Sequence, residues 1–189
     1  MTAGRIWWVL YGLWVCGEVS ILLFTRIKSS GGENRDRGSL RILWAVIMTS
    51  SFVGMSYGAT HGANLPNAAQ WAGWTSVALI VVGLAIRGTA IWRLGRSFSA
   101  NVAITETQKL ETGGLFRLVR HPSYTGMLLI FLSMGLKTGN WVSVLILTVP
   151  PVVALLYRIK VEEDALHGAF GTEYEEYCRR SKRLVPGIY

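Results

Sequence analysis

The chain has 189 residues, of which 51% are hydrophobic and 16% charged, with a net charge of +8 and a mean hydropathy of +0.36. This balance excludes an ordinary soluble domain and points to an integral membrane protein. The positive charge requires no nucleic acid partner, because membrane topology and anionic inner-leaflet lipid account for it.

Apolar runs able to cross about 30 Å of hydrocarbon occur at Ile6 to Thr25, Leu40 to Tyr57 and Trp71 to Trp92. Arg5 ahead of the first run resembles the flank of a signal peptide. That run lacks an Ala-x-Ala-like end and carries Glu18 and several tryptophans, so it reads as a retained span. Two shorter runs follow, Tyr124 to Leu136 and Trp141 to Tyr157. Between them Lys137-Thr138-Gly139-Asn140 is a polar turn suited to an antiparallel helical hairpin. The expectation is an all-α polytopic protein with five transmembrane helices.

Arg5 and Lys137 fall on one side of this arrangement, and the other Lys and Arg residues, from Arg26 to Arg183, fall on the opposite side. The positive-inside rule then puts the N-terminus outside and the C-terminus in the cytosol. The segment from Gly58 to Gln70 carries no Lys or Arg, as an outer loop should. Cys16 lies in the first span and Cys178 in the cytosolic tail, so no disulfide is expected. His61, His121 and His167 are isolated and give no metal-ligand spacing.

The cytosolic parts are three. Lys28 to Ser39 reads as flexible and solvated. Arg93 to Pro122 is patterned, with Ile104, Leu110, Leu115, Phe116 and Leu118 able to cap the inner face and Gly113-Gly114 permitting a reversal. After the fifth span the helix continues, with Glu162, Leu166, Ala169 and Phe170 at helical spacing until Gly171 closes it. A short helix from Thr172 to Arg180 follows, with Thr172 as its N-cap and Glu173 in its first turn. The chain thus divides at residues 1–92, a three-helix membrane region, and 93–189, which holds the loop, hairpin and tail.

Chemistry concentrates in that second part. Arg120-His121-Pro122-Ser123-Tyr124-Thr125-Gly126 forms a cationic, ring-bearing cluster at the mouth of the hairpin. Arg158-Ile159-Lys160-Val161-Glu162-Glu163 follows once the hairpin returns. Patches of opposite sign at one membrane face suit a zwitterionic small molecule. Taken singly, Arg120 would only obey the positive-inside rule and the glutamates would be a solvated helix face. Tyr174 and Tyr177 read as packing or interfacial anchors, Arg183 as a headgroup or site contact, and His61 and His167 as surface residues. Glu18 and Arg87 sit within spans, where ionisable groups are paired or face a cavity; the expectation is that they pair and join the first and third helices.

The ordered set Arg120-His121-Pro122-x-Tyr124-x-Gly126, hairpin, Arg158-x-x-x-Glu162-Glu163, Phe170-Gly171-x-Glu173-Tyr174-x-x-Tyr177 and Leu184-Val185-Pro186 resembles the isoprenylcysteine carboxyl methyltransferases and related phospholipid methyltransferases. The resemblance covers Leu94 to the C-terminus. It implies methyl transfer from S-adenosylmethionine to a lipophilic acceptor, an isoprenylcysteine-type carboxylate being favoured, at the cytosolic face. Five spans with a cytosolic tail also resemble the small prokaryotic members of the family, which implies a prokaryotic inner membrane.

For the cofactor, the resemblance implies Glu163 or Glu162 on the ammonium and Arg120 and His121, with backbone amides, on the carboxylate. Phe116, Leu118, Tyr124 and Leu184 would line the adenine, with Pro122 in the first turn of the fourth helix. Arg158 would orient a carboxylate acceptor, and Glu162 would take the proton of an amine or thiol acceptor. The acceptor would reach the site from the bilayer near the fourth and fifth helices. No metal is implied, and the sequence leaves open whether there is a protein partner. A sterol-type reductase using NADPH shares the Arg-His-Pro-x-Tyr cluster and the ending Pro186-Gly187-Ile188-Tyr189, although such enzymes have more spans. A non-enzymatic membrane module is the third alternative.

Overall fold

The computed structural model describes residues 2–28, 38–95, 98 and 110–189, with the side chains of residues 24–28 outside that description. Arg35, Arg37, Arg96, Ile104 and Lys109, the side chains of Arg26 and Lys28, and residues 29–37 of the loop between the first two helices therefore lie outside the described residues. The described residues form six α-helices in order: α1 (Ala3–Lys28), α2 (Ser39–His61), α3 (Ala68–Leu94), α4 (Pro122–Thr138), α5 (Trp141–Phe170) and α6 (Thr172–Arg180), with a 3-10 turn at Gly114–Arg117. Among the described residues, the sole extended pairing is an isolated parallel bridge between Val119 and Lys182.

α1, α2, α3 and α5 are each long and apolar enough to cross a membrane. α4 has 17 residues, about 26 Å of helix at 1.5 Å per residue. The fourth expected helix forms, and it is short and central. Its Gly126, Met127, Ile130, Phe131, Ser133, Met134 and Gly135 are buried, where α3 and α5 pack against it. α2 lies on α5 and α1 on α3. Outward-facing Trp8, Leu13, Phe52, Trp74, Val81 and Val153 are exposed, as lipid-facing side chains should be.

Between helices in lipid, close approach of small residues replaces the hydrophobic effect as the packing force. A Cβ at Gly83 would lie 2.7 Å from the Gly126 carbonyl oxygen, and one at Gly126 would lie 2.6 Å from that of Gly83. The antiparallel α3–α4 pair thus touches backbone to backbone. Further along the same seam, Trp7 Nε1 donates to Ser133 Oγ at 2.7 Å, which donates to the Ser76 carbonyl at 2.7 Å.

The hairpin turn is fixed at both of its caps. Gly139 ends α4 at φ 67, a left-handed conformation that a glycine adopts without strain. The Asn140 side chain caps α5 by accepting from the Val142 and Ser143 amides and donates to the Gly62 carbonyl at 2.7 Å.

α5 runs on for 30 residues through Pro150 and Pro151 to Phe170, about 45 Å of helix, so its last turns extend past the apolar part of the bundle. Gly171, at φ 51, ends it and is also the N-cap of α6. The expected cap, Thr172, is instead the first helical residue: the chain needs a positive φ at the junction, which only the glycine meets cheaply. α6 buries Tyr174 and Tyr177 against Phe116 and Ala90. The two tyrosines are packing residues.

Candidate active site

Where α4 begins and α5 ends, the C-terminal tail runs beside the motif. The Arg120 amide donates to the Lys182 carbonyl at 2.7 Å, the His121 amide to that of Arg183 at 3.0 Å, and the Lys182 amide to that of Leu118 at 3.3 Å. Thr125 Oγ1 adds a bond to the Leu184 carbonyl at 2.8 Å. Pro122 opens α4 with His121 as its N-cap, a position where proline loses no helical hydrogen bond.

On the facing helix, Glu163 gathers the cations. It accepts from Arg120 Nε at 3.1 Å and from Arg183 Nε at 2.9 Å, with His121 Nε2 at 3.3 Å. Side-chain exposures are 8% for Glu163, 10% for Arg120 and 4% for His121, against 41% for Arg183. A carboxylate so buried needs this compensation. Arg120 also donates to the Ser181 carbonyl at 2.5 Å. Hydrogen bonds to Glu163 and then Tyr189 hold the Arg183 guanidinium in its protonated form more firmly than usual.

A second chain of contacts begins at Tyr124. Its hydroxyl donates to Glu162 Oε2 at 2.8 Å and accepts from Arg158 Nε at 3.1 Å. Arg158 Nη1 reaches Ser39 Oγ at 2.8 Å. The His121 and Tyr124 rings stack with centroids 5.6 Å apart, and His121 Nδ1 is 3.8 Å from Glu162 Oε2. His121 therefore lies between the two glutamates and links the two chains of contacts.

The structure thus joins Arg120, His121, Tyr124, Arg158, Glu162 and Glu163 in one network. The remaining expected residues are placed around it. Pro122 is fully buried and Leu184 is 4% exposed; each lies in the wall that seats the motif. Phe116 packs among Ala90, Tyr174 and Tyr177, where its carbonyl accepts from Tyr177 Oη at 2.7 Å. Burial pushes the Tyr177 phenol up to about 12. Leu118 is 56% exposed. The amides of Arg120 and His121 donate to the tail carbonyls of Lys182 and Arg183.

A cleft of about 370 Å³ opens on the far side of Glu163. Leu156 and Ile159 give it an apolar wall, Glu163 and Asp164 negative charge, and Lys160 and Arg183 positive charge, with the rings of His167 and Tyr189 completing it. The sequence reads His167 as a surface residue and Tyr189 only as part of the reductase-like ending, and it gives Asp164 and Ser39 no role. The usable signal was that Lys160, Glu163, Asp164 and His167 recur at three- and four-residue spacing on one helix face.

Deeper in the bundle the expected Glu18–Arg87 pair forms. Arg87 Nε and Nη2 donate to the two Glu18 oxygens at 2.5 and 2.7 Å, joining α1 to α3.

Comparison with known proteins agrees with this architecture. A family model described as phospholipid methyltransferase matches residues 71–173. Protein-S-isoprenylcysteine O-methyltransferase B of Arabidopsis thaliana is 34% identical over 120 residues, 62% of this chain and 61% of its own length. A probable protein-S-isoprenylcysteine O-methyltransferase of Oryza sativa subsp. indica is 29% identical over 162 residues, covering 84% of each chain. The solved structure of a eukaryotic intramembrane Ras methyltransferase, isoprenylcysteine carboxyl methyltransferase, shares the fold. Its TM-score is 0.63 at 24% identity, over 77% of this chain and 52% of that one.

Proposed function

This chain belongs to the phospholipid methyltransferase family, and we propose that it transfers a methyl group from S-adenosylmethionine to the carboxylate of an isoprenylcysteine-like acceptor at the cytosolic membrane face. The observation that carries this reading is the pairing of one stretch of α5 with both ends of the motif. Glu163 meets Arg120 and His121, while Arg158 meets Tyr124. The names of the plant relatives support the acceptor class. The concentration of basic residues at this end of the bundle supports the cytosolic orientation.

The donor set fits the cofactor. The cleft's volume of about 370 Å³ falls within the range of roughly 300–1,000 Å³ common for small-molecule sites. Glu163 and Asp164 would hold the ammonium, Arg183 and Lys160 the carboxylate, and Leu156, Ile159 and the Tyr189 ring the adenine. Arg120 and His121 stand behind Glu163 and fix its orientation and charge, while Phe116, Pro122 and Leu184 support the wall. When bound, S-adenosylmethionine supplies an electrophilic methyl carbon on a sulfonium.

The chain's own residues then have to hold the acceptor in line and dry. Arg158, 3% exposed, orients the acceptor carboxylate through its planar guanidinium. Tyr124 and Ser39 keep that guanidinium in place. Positioning of this kind is the main demand of a displacement that needs no proton transfer. A lipophilic acceptor would come from the bilayer beside α4 and α5. A second reading, an amine acceptor, is favoured by Glu162: its side chain is 33% exposed, so it could take the proton such a nucleophile must lose.

The test is methyl-labelled S-adenosylmethionine with purified protein in nanodiscs, offered N-acetyl-S-farnesylcysteine or phosphatidylethanolamine. Label recovered as a base-labile ester supports the carboxylate reading. Label on the lipid amine would replace it with the second. Binding of NADPH with no methyl transfer would overturn both in favour of a reductase, and no response to any of these ligands would leave a non-enzymatic module.

A further inference from the structure

The Glu18–Arg87 pair does more than join two helices. Arg87 is 7% exposed and Glu18 4%, and two of the guanidinium nitrogens are taken by the glutamate. The third, Nη1, points at α4 and donates to Ser123 Oγ at 2.6 Å. Ser123 lies between Pro122 and Tyr124, in the first turn of α4. We infer that Arg87, held by Glu18, is a positioning residue that fixes the first turn of α4 through Ser123 and so sets where His121 and Tyr124 meet the glutamates of α5. This inference rests on the proposed methyl transfer for its kinetic readout only.

Three features make the contact a fixed strut. The bidentate fork holds the guanidinium plane, so Nη1 has one direction available. One turn deeper, the backbones of Gly83 and Gly126 touch, which leaves α4 no room to move toward α3. The His121 end of the turn is tied independently, by its amide to the Arg183 carbonyl. The first turn of α4 is therefore clamped between the tail on one side and Arg87 on the other. The pair costs desolvation in lipid and touches none of the proposed ligand groups, and ionisable residues in such positions are retained for a role. α1, which carries no residue of the motif, thereby acts on the site through Glu18.

The test uses Ser123→Ala, which removes one acceptor and leaves the buried ion pair intact, beside Arg87→Lys and Glu18→Gln. Amide hydrogen exchange is followed in the ligand-free protein, together with kcat, KM and thermal midpoint. For Ser123→Ala, exchange at residues 121–125 should accelerate about tenfold while the rest of the bundle is unchanged. Displacement of a reacting group on this scale should lower kcat about tenfold with KM altered less than about twofold. Ser123→Thr, which keeps the hydroxyl, should restore both. The inference is overturned if Ser123→Ala exchanges and turns over like the wild type, or if losses across all variants merely track thermal midpoint. Should the wild type transfer no methyl group, the proposed function fails and the exchange pattern alone decides this inference.

Discussion

The Tyr124 hydroxyl donates to Glu162 Oε2 at 2.8 Å across 38 residues of sequence, and it is this bond that turns two separate motifs into one site. The same oxygen accepts from Arg158, so the phenol fixes a cation and an anion at once. Tyr124→Phe removes both contacts but retains the ring that stacks on His121. Turnover of the farnesylcysteine acceptor should fall about tenfold, as expected from loosened positioning, with a modest drop in thermal midpoint because buried Arg158 loses one acceptor. Unaltered kcat in this variant would mean that Arg158 is held by its other contacts alone.

Glu163 and Arg183 share a hydrogen bond yet should behave differently when removed, because their side chains are 8% and 41% exposed. Glu163→Ala strands buried Arg120 beside His121 and should destabilise the protein by about 3 kcal/mol, as removal of one partner from a buried pair does. Arg183→Ala breaks a partly solvated pair and should cost less than about 1 kcal/mol. Its effect should appear instead as weaker binding of S-adenosylhomocysteine, measured by calorimetry, since Arg183 lines the cleft. Equal destabilisation by both variants, with affinity intact in Arg183→Ala, would remove Arg183 from the cofactor site.

How much of this was legible in the sequence depended on the range of the contacts. Helix content, the Gly139-Asn140 turn, the continuation of α5 to Gly171 and the Glu18–Arg87 pair all follow from local composition or from the rule that buried charge seeks a partner. The motif was legible as an ordered set of residue types. What was not legible was the tail's parallel alignment with residues 118–121, which consumes the Arg120 and His121 amides, because one bridge leaves no periodicity. That Arg183, already a headgroup or site candidate, and Tyr189 reach the cleft face of α5 is hidden for the same reason. Their placement arises from where α5 overshoots the bundle and where the tail folds back, and neither is encoded in any single stretch. The short apolar run Tyr124 to Leu136 falls inside α4, Pro122–Thr138, so this helix was legible from its local composition.

The backbone contact between Gly83 and Gly126 gives a prediction about the bundle itself. A Gly126→Ala side chain would sit 2.6 Å from the Gly83 carbonyl oxygen and 2.9 Å from the Arg87 backbone, and both are backbone atoms of a packed helix that cannot rotate away. Overpacking of this kind should cost about 2 kcal/mol, read as a lower thermal midpoint in detergent. Gly12→Ala, at a position with nothing within 4 Å of the added Cβ, is the control and should be neutral or slightly stabilising. Equal midpoints for the two variants would mean that α3 and α4 part without cost.

The segment ahead of the motif carries a pH signature. Glu111 accepts from Arg93 Nε at 3.0 Å and from the Gly113 amide at 2.8 Å, so that Arg93 clamps the reversal at Gly113-Gly114. The Arg93 hydrogen bond holds the Glu111 carboxyl below its ordinary value of 4.5, burial opposes it, and the Gly113 amide assists. A carboxyl with a depressed folded value contributes stability that is present above the unfolded value and lost as pH falls through the folded one. The clamp should therefore hold at neutral pH and release only in acid below 4.5. A carbon NMR titration of the Glu111 carboxyl should give a midpoint below the ordinary value in the wild type and a higher one in Arg93→Gln. Coincident midpoints would show that Arg93 does not clamp this turn, and that the approach to Arg120 is set by Phe116 packing on α6 alone.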